Sequence, residues 1–491
     1  MKPASNRIRR ALKVSFALLL LSVTAALAQS PGTFTTTGGM SMPRSSHTAT
    51  LLPNGRVLIA GGSPGFGSTV GTNGADLYDP ASGQFTTTRG MTTTRAWHTA
   101  TLLPDGRVLI VGDSNAELYD PLTGIFTGTG AMVRGKSCHS ATLLGSGKVL
   151  IAGGGSTFRN PPSDIFRAEL YDPATGNFAA TGAYATEFPN DGFSFCPIAT
   201  LLTDGRVLIA WAGSLPFVDI YDPGTGKFIQ AGPHPLAWLH QFTATLLMNG
   251  QVLLAGGENE DFGPSNKAAI YDPSTRTFIS IAEMTTPRDR HTATLLPNGK
   301  VLIAGSEWNR NARTFGDAST ELYDPTTGRF AFGGNMTRPR DSYTATLLPD
   351  GNVLMAGGFS PYPDLTSSAE LYRSLSPAVA AMLFSVSGNG MGQGAILHPA
   401  SPQFASASNP AVIGEALEIY CTGLVEGSVI PPQVAIGGRV AEILFFGQAP
   451  GWPGLNQVNI RVPAGVAPGP AVTVRMTYLN RPSNEVTIGV R

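Results

Sequence analysis

The chain has 491 residues, 59 of them glycine and 38 proline, with 13% charged residues and a formal net charge of zero. That length accommodates two or three domains with sizeable cores, and the composition suits a turn-rich β protein, excluding a disordered or mainly helical chain. The balance of charge gives no support to a nucleic-acid partner.

Residues 1–28 read as a signal peptide. Lys2, Arg7, Arg9, Arg10 and Lys13 precede the apolar run "VSFALLLLSVTAALA", and Ala26-Leu27-Ala28 supplies small residues at a cleavage site. Its removal leaves 28 basic against 33 acidic residues, a mature charge of −5, and no remaining stretch could span a bilayer as a helix. The expected location is therefore outside the cell or in the periplasm or envelope. Cys138, Cys196 and Cys421 are too few for a disulfide scaffold, but export permits one bridge.

From residue 29 to 375 one text recurs. Its anchor threonines are Thr50, Thr101, Thr142, Thr200, Thr245, Thr294 and Thr346, spaced by 51, 41, 58, 45, 49 and 52 residues. Periods of this size indicate a solenoid or propeller. Within each unit "HTATLL" alternates as a strand, a. "PNG" or "PDG" makes a tight turn, and "RVLIAGG" is a continuous apolar strand, b, covered on both faces. "AELYDP" is strand c, ended by a "DPxTG" turn, and a fourth strand, d, opens with Phe85, Phe126, Phe178, Phe228, Phe278 or Phe330. The seventh unit, ending in Ala369–Pro377, lacks strand d, whereas residues 32–40, "GTFTTTGGM", match "GQFTTTRGM" of the first turn of the repeat. The N-terminal segment is therefore expected to complete the last sheet and close a seven-bladed ring, with Phe34 near Tyr372.

The motif "RxxHTATLLPDGRVLIAGG" with "YDPxTGxF" resembles the bacterial kelch type of β-propeller, over roughly residues 32–374. That resemblance implies a frame, so function is sought where the copies differ. Differences collect in the b–c inserts and the d–a connections, which emerge on one face of the ring. Trp97, Trp211, Trp238 and Trp308 all fall there, available either for stacking on sugar or peptide or for packing over the blades.

His47, His98, His139 and His291 share one repeat position, three residues after Arg44, Arg95, Lys136 and Arg288; Arg340 holds the corresponding basic position in the seventh unit. They read either as a ring of metal-binding imidazoles or as one hydrogen bond repeated between blades. Ligands spread round a ring favour the second. Blades 4 and 5 break the pattern with "FSFCPIAT" and "AWLHQFTAT", making Asp191, Cys196, Trp211, Trp238, His240 and Gln241 the candidate ligand-binding pocket, with Trp97 and Trp308 nearby on the same face. Cys138 and Cys196 occupy equivalent positions in adjacent blades, so they can form one disulfide or remain two thiols.

Phe195-Cys196-Pro197 also resembles galactose oxidase and related copper-radical oxidases, in which such a cysteine is cross-linked to a tyrosine of the next blade and a Tyr-His pair precedes a later repeat. Here the next blade offers Trp238, His240 and Gln241, and the later copies carry Arg290-His291 and Ser342-Tyr343. No Ser-His-Asp set, zinc spacing or calcium loop is present, and the recurring Asp of "YDP" is turn chemistry. Catalytic and metal residues are therefore not assigned.

Residues 376–491 abandon the repeat for short strands such as "EALEIYCTGL", "PQVAIGG" and "AVTVRMTY", an Ig-like β-sandwich. They resemble the IPT/TIG class, and a C-terminal domain carried by secreted acidobacterial proteins. "GQAPGWPGLNQ", with Trp452, is expected to make an exposed contact or pack on the propeller, and Cys421 to be a buried thiol. The all-β chain as a whole reads as a secreted binding propeller for extracellular carbohydrate or protein, with no cofactor. A galactose-oxidase-like copper oxidase and a structural envelope or matrix protein are the alternatives.

Overall fold

The computed structural model describes residues 32–65, 70–112, 115–133, 137–155, 167–185, 197–211, 216–236, 240–259, 263–305, 308–309, 314–315, 318–360, 363–374, 382–387, 391–399, 403–425, 428–450, 455–479 and 481–491. Residues 1–31, with the expected signal peptide, lie outside them. Among the described residues no helix is long and apolar enough to cross a membrane.

The repeat folds as read. Six sheets each contain four antiparallel strands in chain order, as in blade 1: Thr48–Leu51, Val57–Ala60, Ala75–Asp79 and Gln84–Thr87. The seventh combines Thr344–Leu347, Val353–Ala356 and Ala369–Arg373 with the first strand of the described chain, Thr33–Thr37. Phe34 pairs with Tyr372, and their rings lie 5.1 Å apart. This seam joins the two ends of the repeat region, so the ring opens only if a whole strand is peeled from its sheet.

Strand b explains its own composition. In blade 1, Val57 and Ile59 pack with Leu348, Leu354 and Ala356 of blade 7, whereas Leu58 and Ala60 pack with Val108 and Ile110 of blade 2. All four b-strand residues are buried because each face meets a different sheet. The Tyr of strand c is equally buried and sits on the Phe of strand d, at 4.8 Å for Tyr78–Phe85 and 4.7 Å for Tyr119–Phe126. The Asp that follows holds the c–d turn: Asp79 Oδ1 accepts the Ala81 N–H at 2.9 Å, and Asp272 Oδ1 that of Ser274 at 2.9 Å.

A buried ion pair ties the d–a connection to its blade in blades 1, 2, 6 and 7. Arg44 meets Asp76 at 3.0 Å, Arg95 meets Glu117 at 3.1 Å, Arg288 meets Glu321 at 3.5 Å and Arg340 meets Glu370 at 2.7 Å. The guanidinium also donates to backbone carbonyls, Gly357 and Ser368 for Arg340. The carboxylate accepts the backbone N–H of Thr337, two residues before Pro339. Each charge therefore meets an opposite charge and hydrogen bonds, with Arg44 Nε and Arg288 Nε left without a hydrogen bond, and this is what makes its burial tolerable.

The C-terminal part is a sandwich of two antiparallel sheets. One runs in the order Met382–Leu383, Ala416–Thr422, Asn456–Arg461, Glu442–Gln448, with Ile396–Leu397 also pairing to Ala416–Thr422; the other is Arg439–Val440, Gln433–Ile436, Gly469–Tyr478, Arg481–Val490. Leu417, Ile419, Val458, Ile460, Val474 and Ile488 fill its core, and Cys421 is a free thiol there, pushed up to about 12 by burial. The sandwich touches the propeller through its Gly437-Gly438 hairpin, Arg475 and Val429, against the a–b turns at Asp105, Pro104 and Met248. Trp452, expected to make an exposed contact or to pack on the propeller, lies outside the described residues.

Removing one partner of the blade 7 pair strands a buried charge. Arg340→Leu should cost about 3–5 kcal/mol in urea unfolding. The double variant Arg340→Leu/Glu370→Ala should be more stable than Arg340→Leu alone, since blade 5 carries Leu239 and Ala269 at the corresponding sequence positions.

Candidate functional site

The residue just before the repeated histidine has an unusual backbone in every blade where it is described. Ser46, Trp97, Cys138, Gln241, Arg290 and Ser342 have φ between 47° and 59°. Such a conformation costs a non-glycine residue of order 1 kcal/mol and persists only where its surroundings enforce it. At Ser46, Trp97 and Arg290 the enforcement is visible on both sides. The arginine two residues earlier is anchored inside its own blade, while the histidine one residue later reaches the neighbouring blade. The left-handed residue is the corner between them. The corners form a ring at the heads of the innermost strands, partly linked by backbone: Ser46 N–H donates to Ser342 O and Trp97 N–H to Ser46 O, both at 3.2 Å.

The corner side chains divide this mouth in two. On blade 2, Trp97 is 62% exposed. Across the ring, two to three blades from blade 2, a polar cluster occupies blades 5–7. Arg290 Nε donates to Gln241 Oε1 at 2.7 Å, and its Nη atoms lie 3.8 Å from Glu258 and 3.9 Å from Asp341. Glu258, Asp289 and Asp341 are buried carboxylates. Ser342 Oγ donates to Asp341 Oδ1 at 2.7 Å. Backbone bridges between His240 and Glu258 and between Asp341 and Phe359 fasten the b–c inserts to these corners.

The histidines serve the frame. His98 Nε2 meets Thr48 Oγ1 at 3.0 Å, His139 meets Thr99 at 2.9 Å, His291 meets Thr243 at 3.0 Å and His47 meets Thr344 at 3.0 Å. Tyr343 continues the series, its OH on Thr292 at 2.8 Å and on the Ala304 carbonyl at 2.7 Å. Each bond joins one blade to the blade before it. Burial, and then the neighbouring Arg44, Arg95 or Arg288, pushes His47, His98 and His291 down to about 3, so the rings are neutral near pH 7.

Blades 4 and 5 carry Pro197 and Phe242 at this position and replace polar locks with aromatic packing. Trp211 is 2% exposed. Its indole N–H donates to Asp219 Oδ2 at 3.0 Å, the carboxylate that an arginine would otherwise hold, and Tyr184 stacks edge-on against it at 4.7 Å. Tyr184 OH accepts the Gly153 N–H at 2.6 Å, and His234 Nε2 meets the Trp211 carbonyl at 2.9 Å. Trp211, expected to face a ligand, is therefore a core residue: a missing guanidinium left both volume and a carboxylate, and the indole supplies the filling and the donor.

Of the other pocket candidates, Gln241 and His240 stand at the mouth, Gln241 exposed and His240 half-buried. Trp308 lies on a two-stranded ribbon, Trp308–Asn309 with Thr314–Phe315, in the blade 6 insert. Asp191, Cys196 and Trp238 lie outside the described residues. Cys138 is disulfide-bonded. Glu258, Asp289, Arg290 and Asp341 were missed, although Asp289, Arg290 and Asp341 occupy the same variable positions that singled out Cys196, His240 and Gln241.

No family model matches the chain, and no curated protein matches it. Among solved structures it is similar to a fungal alcohol oxidase of the AA5 family, described as having catalytic diversity and as being in complex with copper. The TM-score is 0.61 at 18% identity, over 94% of this chain and 99% of that one. A likeness at this identity shows a shared kelch-like propeller fold. The described residues do not fit copper. The four imidazoles are engaged with threonines of adjacent blades, the Tyr343 phenol is buried with two partners, and Cys138 is bonded to sulfur. Among the described residues no group of three or more His, Cys, Asp or Glu is arranged to hold a metal ion.

Because the folded-state values of these histidines lie below the ordinary 6.5, the unfolded chain takes up protons first as pH falls. Their stabilising effect is complete above pH 6.5 and is lost on going down towards pH 3. Each ring should contribute a slope of about 1.4 kcal/mol per pH unit to unfolding within that window. Urea unfolding at pH 7, 6, 5 and 4 should show this loss, with a shallower slope in His98→Gln.

Proposed function

We propose that this protein is an exported recognition module that binds extracellular carbohydrate or protein at the axial mouth of its propeller. The observation that supports this reading most is Trp97, an exposed indole on a backbone corner of high energy, with the Arg290–Gln241 cluster across the ring. An indole face supplies apolar contact at little entropic cost, and the guanidinium, amide and carboxylates supply fixed donors and acceptors. Histidines and arginines that lock the blades make the platform rigid, which suits binding by a preorganised surface. The sandwich, which we read as IPT/TIG-like, leaves this mouth open because its described contacts are on the opposite face.

A glycan and protein array probed with the mature chain should give a signal that falls at least about tenfold in Trp97→Ala, a loss of roughly 1.4 kcal/mol. Retention of full binding by that variant would place recognition elsewhere.

The second reading is a copper alcohol oxidase, favoured by the end-to-end likeness to the copper-bound fungal enzyme. Copper analysis of the mature protein, with oxygen uptake on primary alcohols, separates the two. The recognition reading expects substoichiometric copper and no uptake after copper loading.

A further inference from the structure

At five of the described seams, the first glycine after the apolar run of strand b is covered by a ring from the next blade. A Cβ on Gly61 would lie 2.6 Å from His98 Cε1, on Gly256 2.5 Å from His291 Cε1, on Gly357 2.8 Å from His47 Cε1 and on Gly305 2.6 Å from Tyr343 Cε1. The fifth is the seam between blades 3 and 4, where a Cβ on Gly153 would lie 2.2 Å from both Pro197 Cδ and Cγ. Pro197 therefore takes the seat of the imidazole. It brings no polar side-chain atom and no N–H, so the contact is kept and the hydrogen bond between blades is lost. The hydroxyl across the seam is retained as Ser140, at the position of Thr48, Thr99 and Thr243. Its Oγ donates to the Ala152 carbonyl at 3.4 Å, as Thr243 Oγ1 does to that of Ala255 at 3.5 Å. Between blades 4 and 5 both partners have changed, to Ile198 and Phe242, which pack in one apolar cluster.

The residue before this seat is the left-handed corner. In blade 3 the corner is Cys138, half-buried at a φ of 56°, and its sulfur is in a disulfide. The chain has three cysteines, and Cys421 is a free thiol buried in the sandwich. By elimination the sulfur bonded to Cys138 is that of Cys196. Cys196 lies outside the described residues, but in sequence it directly precedes Pro197 and so holds the corner position of blade 4.

We propose that Cys138 and Cys196 form a redox-sensitive latch, joining corner to corner across the seam between blades 3 and 4 in place of the imidazole lock that Pro197 removes. In blades 7, 1 and 2 the corners are tied only by backbone bonds of 3.2 Å, from Ser46 N–H to Ser342 O and from Trp97 N–H to Ser46 O. The latch forms when the two thiols give up two protons and two electrons to a disulfide donor of the exporting compartment, which leaves as a dithiol. A dithiol reductant reverses the exchange. Strands b, c and d of blade 3, Val149–Gly155, Arg167–Asp172 and Asn177–Ala183, lie between the two cysteines, so the bond closes a loop around most of one sheet. The latch rests on the seam and is independent of the recognition reading.

The mature protein, purified without reductant, tests this. Peptide mapping should give one cross-linked peptide containing Cys138 and Cys196, with Cys421 alone alkylated after denaturation. Three free thiols, or Cys138 linked to a second chain, would overturn the latch. Dithiothreitol added to the folded protein should release two thiols, because Cys138 is half-buried whereas Cys421 is fully buried. It should also lower the urea midpoint at pH 7 by at least as much as His98→Gln does. A reduced chain as stable as the oxidised one would overturn the mechanical role. Cys138→Ser/Cys196→Ser should unfold like the reduced chain, with or without reductant. Pro197→His added to that variant should recover part of the loss by meeting Ser140, and no recovery would overturn the exchange of one lock for the other.

Discussion

The buried arginine of each regular blade is the constraint from which the rest follows. Arg44, Arg95, Arg288 and Arg340 each hold the acid of strand c and the carbonyls beside it, which pins the incoming connection to the blade. Once that point is fixed, the histidine three residues on has one place to go, the threonine of the preceding blade. The residue between must turn through left-handed backbone. In these blades a charge pair within the blade is thus coupled to a hydrogen bond between blades across the corner residue, whereas blade 5 keeps the same corner at Gln241 without either lock.

Departures from that arrangement are compensated locally. Blade 4 keeps the acid, Asp219, and meets it with an indole; blade 5 has Ala269 at the acid position. Phe242, Tyr184, Phe228 and His234 fill the space the polar locks would have taken. Sequence divergence at blades 4 and 5 therefore reports, at Trp211, a change in how the core is filled. The divergence that reaches the surface sits at the corners, where Trp97, Gln241 and Arg290 differ while their backbone does not.

Two faces of one ring carry different tasks. The mouth gathers an exposed indole and a hydrogen-bonded ionic cluster on a frame that resists deformation. The turn face receives the chain's own sandwich, at Pro104-Asp105 and Gly147 between blades 2 and 3 and at Met248 and Gly250 of blade 5. The likeness to the copper-bound fungal enzyme shows a shared fold, and among the described residues His47, His98, His139, His291 and Tyr343 hold blades together.

Alternation, turn residues and the count of units were enough to read four strands per blade, seven blades and closure by residues 32–40, since these depend on local periodicity and on matching the missing strand to its only copy. The continuous apolar strand b also announced burial on both faces. The sequence could not assign use to a polar or aromatic side chain whose partner lies 40 or more residues away. Whether His98 holds a metal or Thr48, and whether Trp211 stacks on a ligand or replaces a guanidinium, were decided only when neighbouring blades came together. Hydrogen bonding and burial are properties of that meeting, and no single copy of the repeat contains them.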